Sequence, residues 1–251
     1  VQVIRSRVLA FFVALAAVTA IQSPTAATAE LGTAAATSGA STAESQTCAV
    51  TGADLEWGFK ESFRSYISST IASGDWSVAD GARYETPIFY WSGGDGDFDG
   101  RTMTGTVSFT GSITFTGHDG ILNTTVANPA IRFDGREAVL LVDVAGTTQD
   151  GVAVSEQAVE FVSIDLGAGV TTSADNVVTV RDAPAVLLPT GAAAFGTYEA
   201  GEPFDRIRID IPTESECAQL ATPPVWLWIA IGVVLLFVAA IISFVVIRRR
   251  A

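Results

Sequence analysis

Hydrophobic positions fall into three regimes along this chain. Residues 8–20 form a short apolar run behind Arg5 and Arg7, and a longer run begins at Val225 and ends at Ile247 without a single charge. Between them the pattern is mixed. Over 55–72, Leu55, Phe59, Ser62, Phe63, Tyr66, Ile67 and Thr70 recur at three-to-four spacing, Asp54 or Thr51 can cap the start, and Gly74 can end it, so a helix is expected there. Trp57, Lys60, Glu61 and Arg64 fall off its apolar stripe. Further on the period changes to two: 106–110 and 113–115 alternate polar with apolar. The segments 130–133, 138–144, 158–164 and 177–180 are short β-branched or aromatic runs separated by Gly, Asp, Asn and Pro. Many short strands with frequent turns predict a mainly β (α+β) body, an antiparallel β-sandwich or barrel-like sheet with the helix near its N-terminus packed on it.

The two apolar ends predict export and anchoring. Residues 1–29 have the layout of a secretory signal: a basic start, a short apolar stretch and the small triplet Ala27-Thr28-Ala29. An uncleaved anchor is the alternative. Residues 30–47 are Ala, Thr, Ser and Gly without an aromatic and read as a flexible leader. The folded unit is expected at 48–217, followed by a short stalk at 218–224 and a transmembrane helix at 225–247. Trp226 and Trp228 stand at the start of this helix, and Arg248, Arg249 and Arg250 lie in a tail, 248–251, that the positive-inside tendency places in the cytoplasm. A buried core helix is the other reading of the span, and its lack of a polar face argues against it. The expected topology is single-pass in the cell membrane, with the ectodomain outside and the C-terminus cytoplasmic. So short a stalk is expected to keep the folded unit, and any site on it, close to the bilayer.

Charge sharpens this picture. Five of the 14 basic residues sit at the two ends, whereas all 27 acidic residues lie between Glu30 and Glu216, leaving the exported part at about −18. A surface that acidic excludes a nucleic-acid role. Cys48 and Cys217, the only cysteines, bracket the folded unit. In an oxidising compartment a disulfide between them is the natural reading, with two independent thiols the alternative, because spacing does not show proximity.

Candidate chemistry is sparse. His118, the single histidine, lies in Gly117-His118-Asp119-Gly120, where flanking glycines suggest a tight turn. One histidine rules out zinc or haem sites that need two, and no Gly-x-Ser-x-Gly elbow offers it a serine partner. Among so many acids nothing selects a catalytic pair. Asp95-Gly96-Asp97-Phe98-Asp99-Gly100 matches the opening half of a calcium loop, but Thr106 stands where the bidentate Glu belongs, so an acidic surface loop is the default reading. Tyr66 lies on the apolar side of the expected helix, with Ser62 one turn before it.

Four segments taken together resemble a known family. They are Leu55-Glu56-Trp57-Gly58-Phe59-Lys60-Glu61-Ser62-Phe63-Arg64-Ser65-Tyr66-Ile67, Gly105-Thr106-Val107-Ser108-Phe109, Phe115-Thr116-Gly117-His118-Asp119-Gly120-Ile121-Leu122 with Asn128-Pro129, and Phe195-Gly196-Thr197-Tyr198-Glu199-Ala200-Gly201. The stretch 48–217 looks like the HtaA conserved region, the haem-binding domain of corynebacterial and related actinobacterial haem-uptake proteins. Its layout is most similar to the single-domain, membrane-anchored HtaB-like members. The resemblance implies a non-enzymatic, membrane-anchored protein that holds ferric haem b and relays it in haem-iron uptake. By motif, Tyr66 is the axial ligand to the haem iron and His118 its hydrogen-bonding support. Ser62, Phe63, Phe195, Tyr198 and Phe204 are expected around the haem, Ser62 toward a propionate and the phenylalanines over the porphyrin. Other haem carriers and a membrane haem permease are the implied partners. A surface adhesion or carbohydrate-binding β-sandwich module without haem is the alternative.

Overall fold

The computed structural model describes residues 47–148, 150–221 and 235–236. In chain order the elements are β1 (Cys48–Trp57), α1 (Glu61–Ile67), β2 (Asp75–Ala79), β3 (Arg83–Glu85), β4 (Ile88–Asp99), β5 (Thr104–Ser108) and β6 (Ser112–Gly117). A 3₁₀ turn (His118–Gly120) leads into β7 (Leu122–Asp134), β8 (Glu137–Thr147), β9 (Ala153–Asp165), β10 (Val170–Ala174), β11 (Val177–Leu187), α2 (Pro189–Phe195) and β12 (Pro203–Pro212).

Eight strands close on themselves. The hydrogen-bonded order β7-β5-β4-β1-β12-β11-β9-β8 returns to β7 through the β7–β8 pairing, so of the two expected layouts the chain adopts the barrel. Closure removes the free edges that an open sheet would expose. Alternate residues of each strand point inward, and Val50, Leu55, Trp57, Phe98, Val107, Leu140, Ile164 and Ile209 fill the interior. The remaining strands hang from this ring, β2 and β6 beyond β7, β3 on β4 and β10 on β11.

Asn128-Pro129 explains how β6 joins. The first half of β7 pairs with β6 through Ala127 and the second half with β5 from Ala130, with a register shift between. Asn128 has φ 50°, and proline offers no N–H to either neighbour. β6 therefore takes over from β5 along the first half of β7 and leads into the turn at His118.

The expected helix over 55–72 is shorter than its pattern suggests. Leu55 and Trp57 belong to β1, paired with Trp91 and Phe89 of β4, and the helix runs only from Glu61 to Ile67. Leu55, Trp57 and Phe59 satisfy a period of two as well as Leu55 and Phe59 satisfy a period of four. Phe59 decides between them, because its φ of 66° cannot continue a right-handed helix. Trp57, Lys60 and Arg64, off the apolar stripe in the helical reading, are all buried.

The acidic segment is not a loop of either kind. Asp95, Asp97 and Asp99 lie along β4, the first two paired with both β1 and β5 and Asp99 with β5, and extended backbone spreads alternate carboxylates apart. Buried Asp99 accepts the Arg101 backbone N–H at 2.9 Å. Among the described residues no cluster of three or more His, Cys, Asp or Glu could hold a metal ion, so the calcium reading falls.

Cys48 and Cys217 form a disulfide that ties the start of β1 to the segment after β12. The chain then passes Ala218 and Leu220, which still pack on the barrel. The expected signal peptide, leader (Thr47 apart), transmembrane helix (the helical pair 235–236 apart) and tail lie outside the described residues, as do residues 222–224 of the stalk. Among the described residues no helix is long and apolar enough to cross a membrane.

Candidate functional site

The end of the barrel opposite the disulfide carries the chemistry. β1 runs from Cys48 to Trp57, roughly 30 Å along an extended strand, and α1 follows at the far end. Here α1 and the turn after β6 meet, and Tyr66 and the chain's only imidazole come together. The half-buried Tyr66 hydroxyl is hydrogen-bonded to His118 Nε2, with ring centroids 5.8 Å apart.

The backbone of the turn shows how His118 is aimed. His118 and Asp119 both adopt positive φ, 52° and 53°, so the left-handed residues are the His-Asp pair itself as well as Gly120. His and Asp tolerate this region better than most residues. The His118 N–H donates to Ala72 O at 2.7 Å, which fastens the turn to the segment following α1. His118 O accepts the Ile121 N–H at 3.1 Å. Gly74 permits this closeness, since a Cβ there would stand 1.9 Å from Thr116 O.

Ser62 and Tyr198 form a second pair beside the first. Ser62 is exposed, one helical turn before Tyr66, and its Oγ lies 3.3 Å from the Tyr198 hydroxyl. Lys60 Nζ sits 4.6 Å from the centre of the Tyr198 ring and donates to Pro203 O at 2.8 Å. Burial holds the Tyr198 phenol above its ordinary value of 10.0; the hydrogen bond with Ser62 opposes the rise, and the charges of Glu202 and Tyr66 add to it. Tyr198 therefore keeps its proton at neutral pH.

Phe63, Phe195 and Phe204 are buried rather than displayed. They belong to an aromatic cluster with Phe59, Phe115 and Phe161 and lie under the tyrosines; Phe195 stacks on Tyr198 at 9° and Phe63 is 6.3 Å from Tyr66. Near the turn, Ile71, Ile121 and Val152 face solvent, 72%, 57% and 59% exposed. Ile71 precedes the carbonyl that holds His118, and Ile121 follows the turn. Val152 closes the β8–β9 loop, where a Cβ on Gly151 would lie 3.7 Å from Ile121. The same loop reaches the Tyr198 segment, because Thr148 Cγ2 would be 2.8 Å from a Cβ on Gly196. Sequence reasoning missed these three residues. Their one signal was a large apolar side chain inside a polar turn.

The arrangement offers an ionisable oxygen donor with an imidazole behind it, a hydroxyl alongside and apolar side chains around. It suits holding a ligand at the phenol oxygen better than attacking a substrate, since at this site the histidine faces the phenol and no serine or cysteine nucleophile.

The HtaA family model, described as Htaa, matches residues 52–210. No curated protein matches the chain significantly. Among solved structures, the C-terminal domain of HtaA from Corynebacterium glutamicum is similar at 32% identity and a TM-score of 0.61, covering 66% of this chain and 99% of that one. The N-terminal domain of the same protein gives 28% and 0.52, with coverage of 66% and 99%. The haem-binding protein HtaB of that organism gives 24% and 0.50, with coverage of 67% and 98%, a likeness of fold.

Proposed function

Because this chain belongs to the HtaA family, we propose that it binds ferric haem b through Tyr66 at the cell surface and relays it in haem-iron uptake. The family is one of haem binding and uptake, not of enzymes. The observation that carries the proposal is the hydrogen bond between Tyr66 and His118. A phenol, with an ordinary pKa near 10, must lose its proton to bind iron. His118 Nε2 is hydrogen-bonded to that oxygen, and an N–H there supports the phenolate. The imidazole thus orients the ligand and tunes its basicity. A hard anionic oxygen favours ferric over ferrous iron.

Tyr198 plays a different part. Its hydroxyl is hydrogen-bonded with that of Ser62 beside the ligand, and exposed Ser62 is placed toward a propionate. Ile71, Ile121 and Val152 supply the porphyrin contacts first assigned to Phe63, Phe195 and Phe204, which brace the tyrosines from below.

With a span at 225–247, the chain would leave for the membrane from Ala221, at the disulfide end. The tyrosines would then face away from the bilayer, the reverse of a site held against it. Haem arrives from carriers outside and reaches a permease by exchange at an outward-facing site.

Titration of the purified protein with haemin tests the proposal: a saturable high-spin ferric tyrosinate spectrum is expected, and a spectrum of free haemin throughout would sink it. His118→Ala weakens affinity on the order of 10-fold to 100-fold while a Tyr66-bound spectrum persists, because it removes support and leaves the bond. Haem loss to excess apo-globin measures the change, and loss of the tyrosinate spectrum in this variant would make His118 more than a support.

A further inference from the structure

We infer that Asp205 and Arg64 form a clamp that sets the position of α1, and through it the placement of Tyr66 against His118; its consequence for haem rests on the reading above. α1 has seven residues, fewer than the roughly 12–15 an isolated helix needs to persist. Its N-cap residue, Lys60, makes no capping bond. The cap comes instead from β12, 144 residues away, where Asp205 Oδ1 accepts the Glu61 N–H at 3.0 Å.

The rest of Asp205 is equally engaged. Its Oδ2 accepts from Arg64 Nη1 at 2.7 Å, and the same Nη1 reaches the Gly58 carbonyl. Its N–H donates to Phe59 O at 2.9 Å, and its carbonyl accepts Trp57 Nε1 at 3.0 Å. One residue of β12 therefore grips Trp57, Phe59, Glu61 and Arg64, all within the ten positions before Tyr66. Gly58 completes the fit, since a Cβ there would stand 2.3 Å from Asp205 Oδ2. The Arg64 side chain is 10% exposed and that of Asp205 28%, so removing either leaves the other charge poorly solvated and without its partner.

These groups touch neither Tyr66 nor His118, so they act by position. The left-handed turn at Phe59 swings the chain out of β1, and the clamp fixes the direction in which α1 emerges. At the other end Ile67 O accepts the Gly74 N–H at 2.9 Å and the helix is tied to the segment that leads into β2. Tyr66 meets His118 only when both ends are held.

The lone histidine makes this measurable without haem, because its side-chain ¹⁵N resonances need no assignment among rivals. Spectra of the full-length protein are recorded as wild type, Tyr66→Phe, Asp205→Asn, Arg64→Lys and the control Asp134→Asn, an exposed residue at the disulfide end. Arg64→Lys keeps the charge but shortens the side chain and removes Nη1, the one nitrogen that meets both Asp205 Oδ2 and the Gly58 carbonyl, so it decides the matter if Asp205→Asn does not fold. Folded clamp variants are expected to shift the His118 resonances toward those of Tyr66→Phe and to lower haem affinity about tenfold or more, with a diminished tyrosinate band. The control stays at wild type. Wild-type resonances and affinity in a folded Arg64→Lys would overturn the clamp. If wild type itself gave no tyrosinate band, the haem reading would fail, while the haem-free resonances would still decide the positioning.

Discussion

Tyr66→Phe is expected to abolish the ferric tyrosinate spectrum and to weaken haem binding by more than about 100-fold, beyond the 10-fold to 100-fold cost of losing a supporting residue. The substitution is narrow. The ring keeps its place beside Phe63 at 6.3 Å, so packing is preserved and only the hydroxyl goes. What is lost is the anionic donor to iron and the hydrogen bond with His118. Tyr198 does not replace it, because its hydroxyl meets Ser62 and lacks the imidazole that supports Tyr66. Haem that remained would be held by Ser62, Tyr198 and the apolar rim of Ile71, Ile121 and Val152, without a bond from the protein to the metal. Fold stability should change by only about 1 kcal/mol, the usual worth of one hydrogen bond. Urea unfolding separates the two effects: near-unchanged stability with lost ligation marks a ligand, whereas a large drop in stability would mark a core residue.

Removing the disulfide has the largest expected effect on stability and none on the ligand. Cys48 and Cys217 close a loop of 169 residues. In the chain-entropy account a loop of that length restricts the unfolded state by about 5 kcal/mol, and removing native disulfides typically costs about 2–5 kcal/mol. The bond also holds the segment whose Cys217 carbonyl accepts the Gly100 N–H at 2.7 Å, so its loss loosens the end of β4 as well. Cys48→Ser with Cys217→Ser is thus expected to unfold at a Tm lower by roughly 5–20 °C, given about 2–4 °C per kcal/mol for a domain of this size. Well below that temperature haem affinity should stay within about twofold, because the tyrosines lie at the other end of the barrel and distant sites act independently. An unchanged denaturation midpoint would contradict the stabilising role; a large loss of affinity in the folded variant would show the two ends to be coupled.

How much of this was legible in the sequence depended on how local each determinant is. The Gly-His-Asp-Gly turn could be read because its backbone demand is written in consecutive residues, although His118 and Asp119 share the left-handed burden with Gly120. Tyr66 was placed on a helix correctly, since Phe63 and Ile67 share its face. The start of that helix was misread because Leu55 and Phe59 fit periods of two and four alike, and the deciding conformation at Phe59 leaves no compositional trace. Asp95 to Asp99 looked like a loop because alternating Gly and Asp are turn formers, and only pairing with β1 and β5 shows a strand. The clamp was invisible for a different reason. Asp205 caps a helix 144 residues earlier, and no local pattern can announce such a partner. Phe63, Phe195 and Phe204 were assigned to the ligand for being aromatic, but in a closed barrel large rings near a mouth are needed first to fill the end of the core.

The central claim is a bond between Tyr66 oxygen and ferric haem iron. Resonance Raman spectroscopy of the haemin complex, excited in the tyrosinate-to-iron charge-transfer band and repeated on protein carrying ring-deuterated tyrosine, reports that bond directly. Phenolate modes are expected that shift on deuteration and vanish in Tyr66→Phe. A wild-type complex without isotope-sensitive phenolate modes, or with modes that survive in Tyr66→Phe, would contradict the claim.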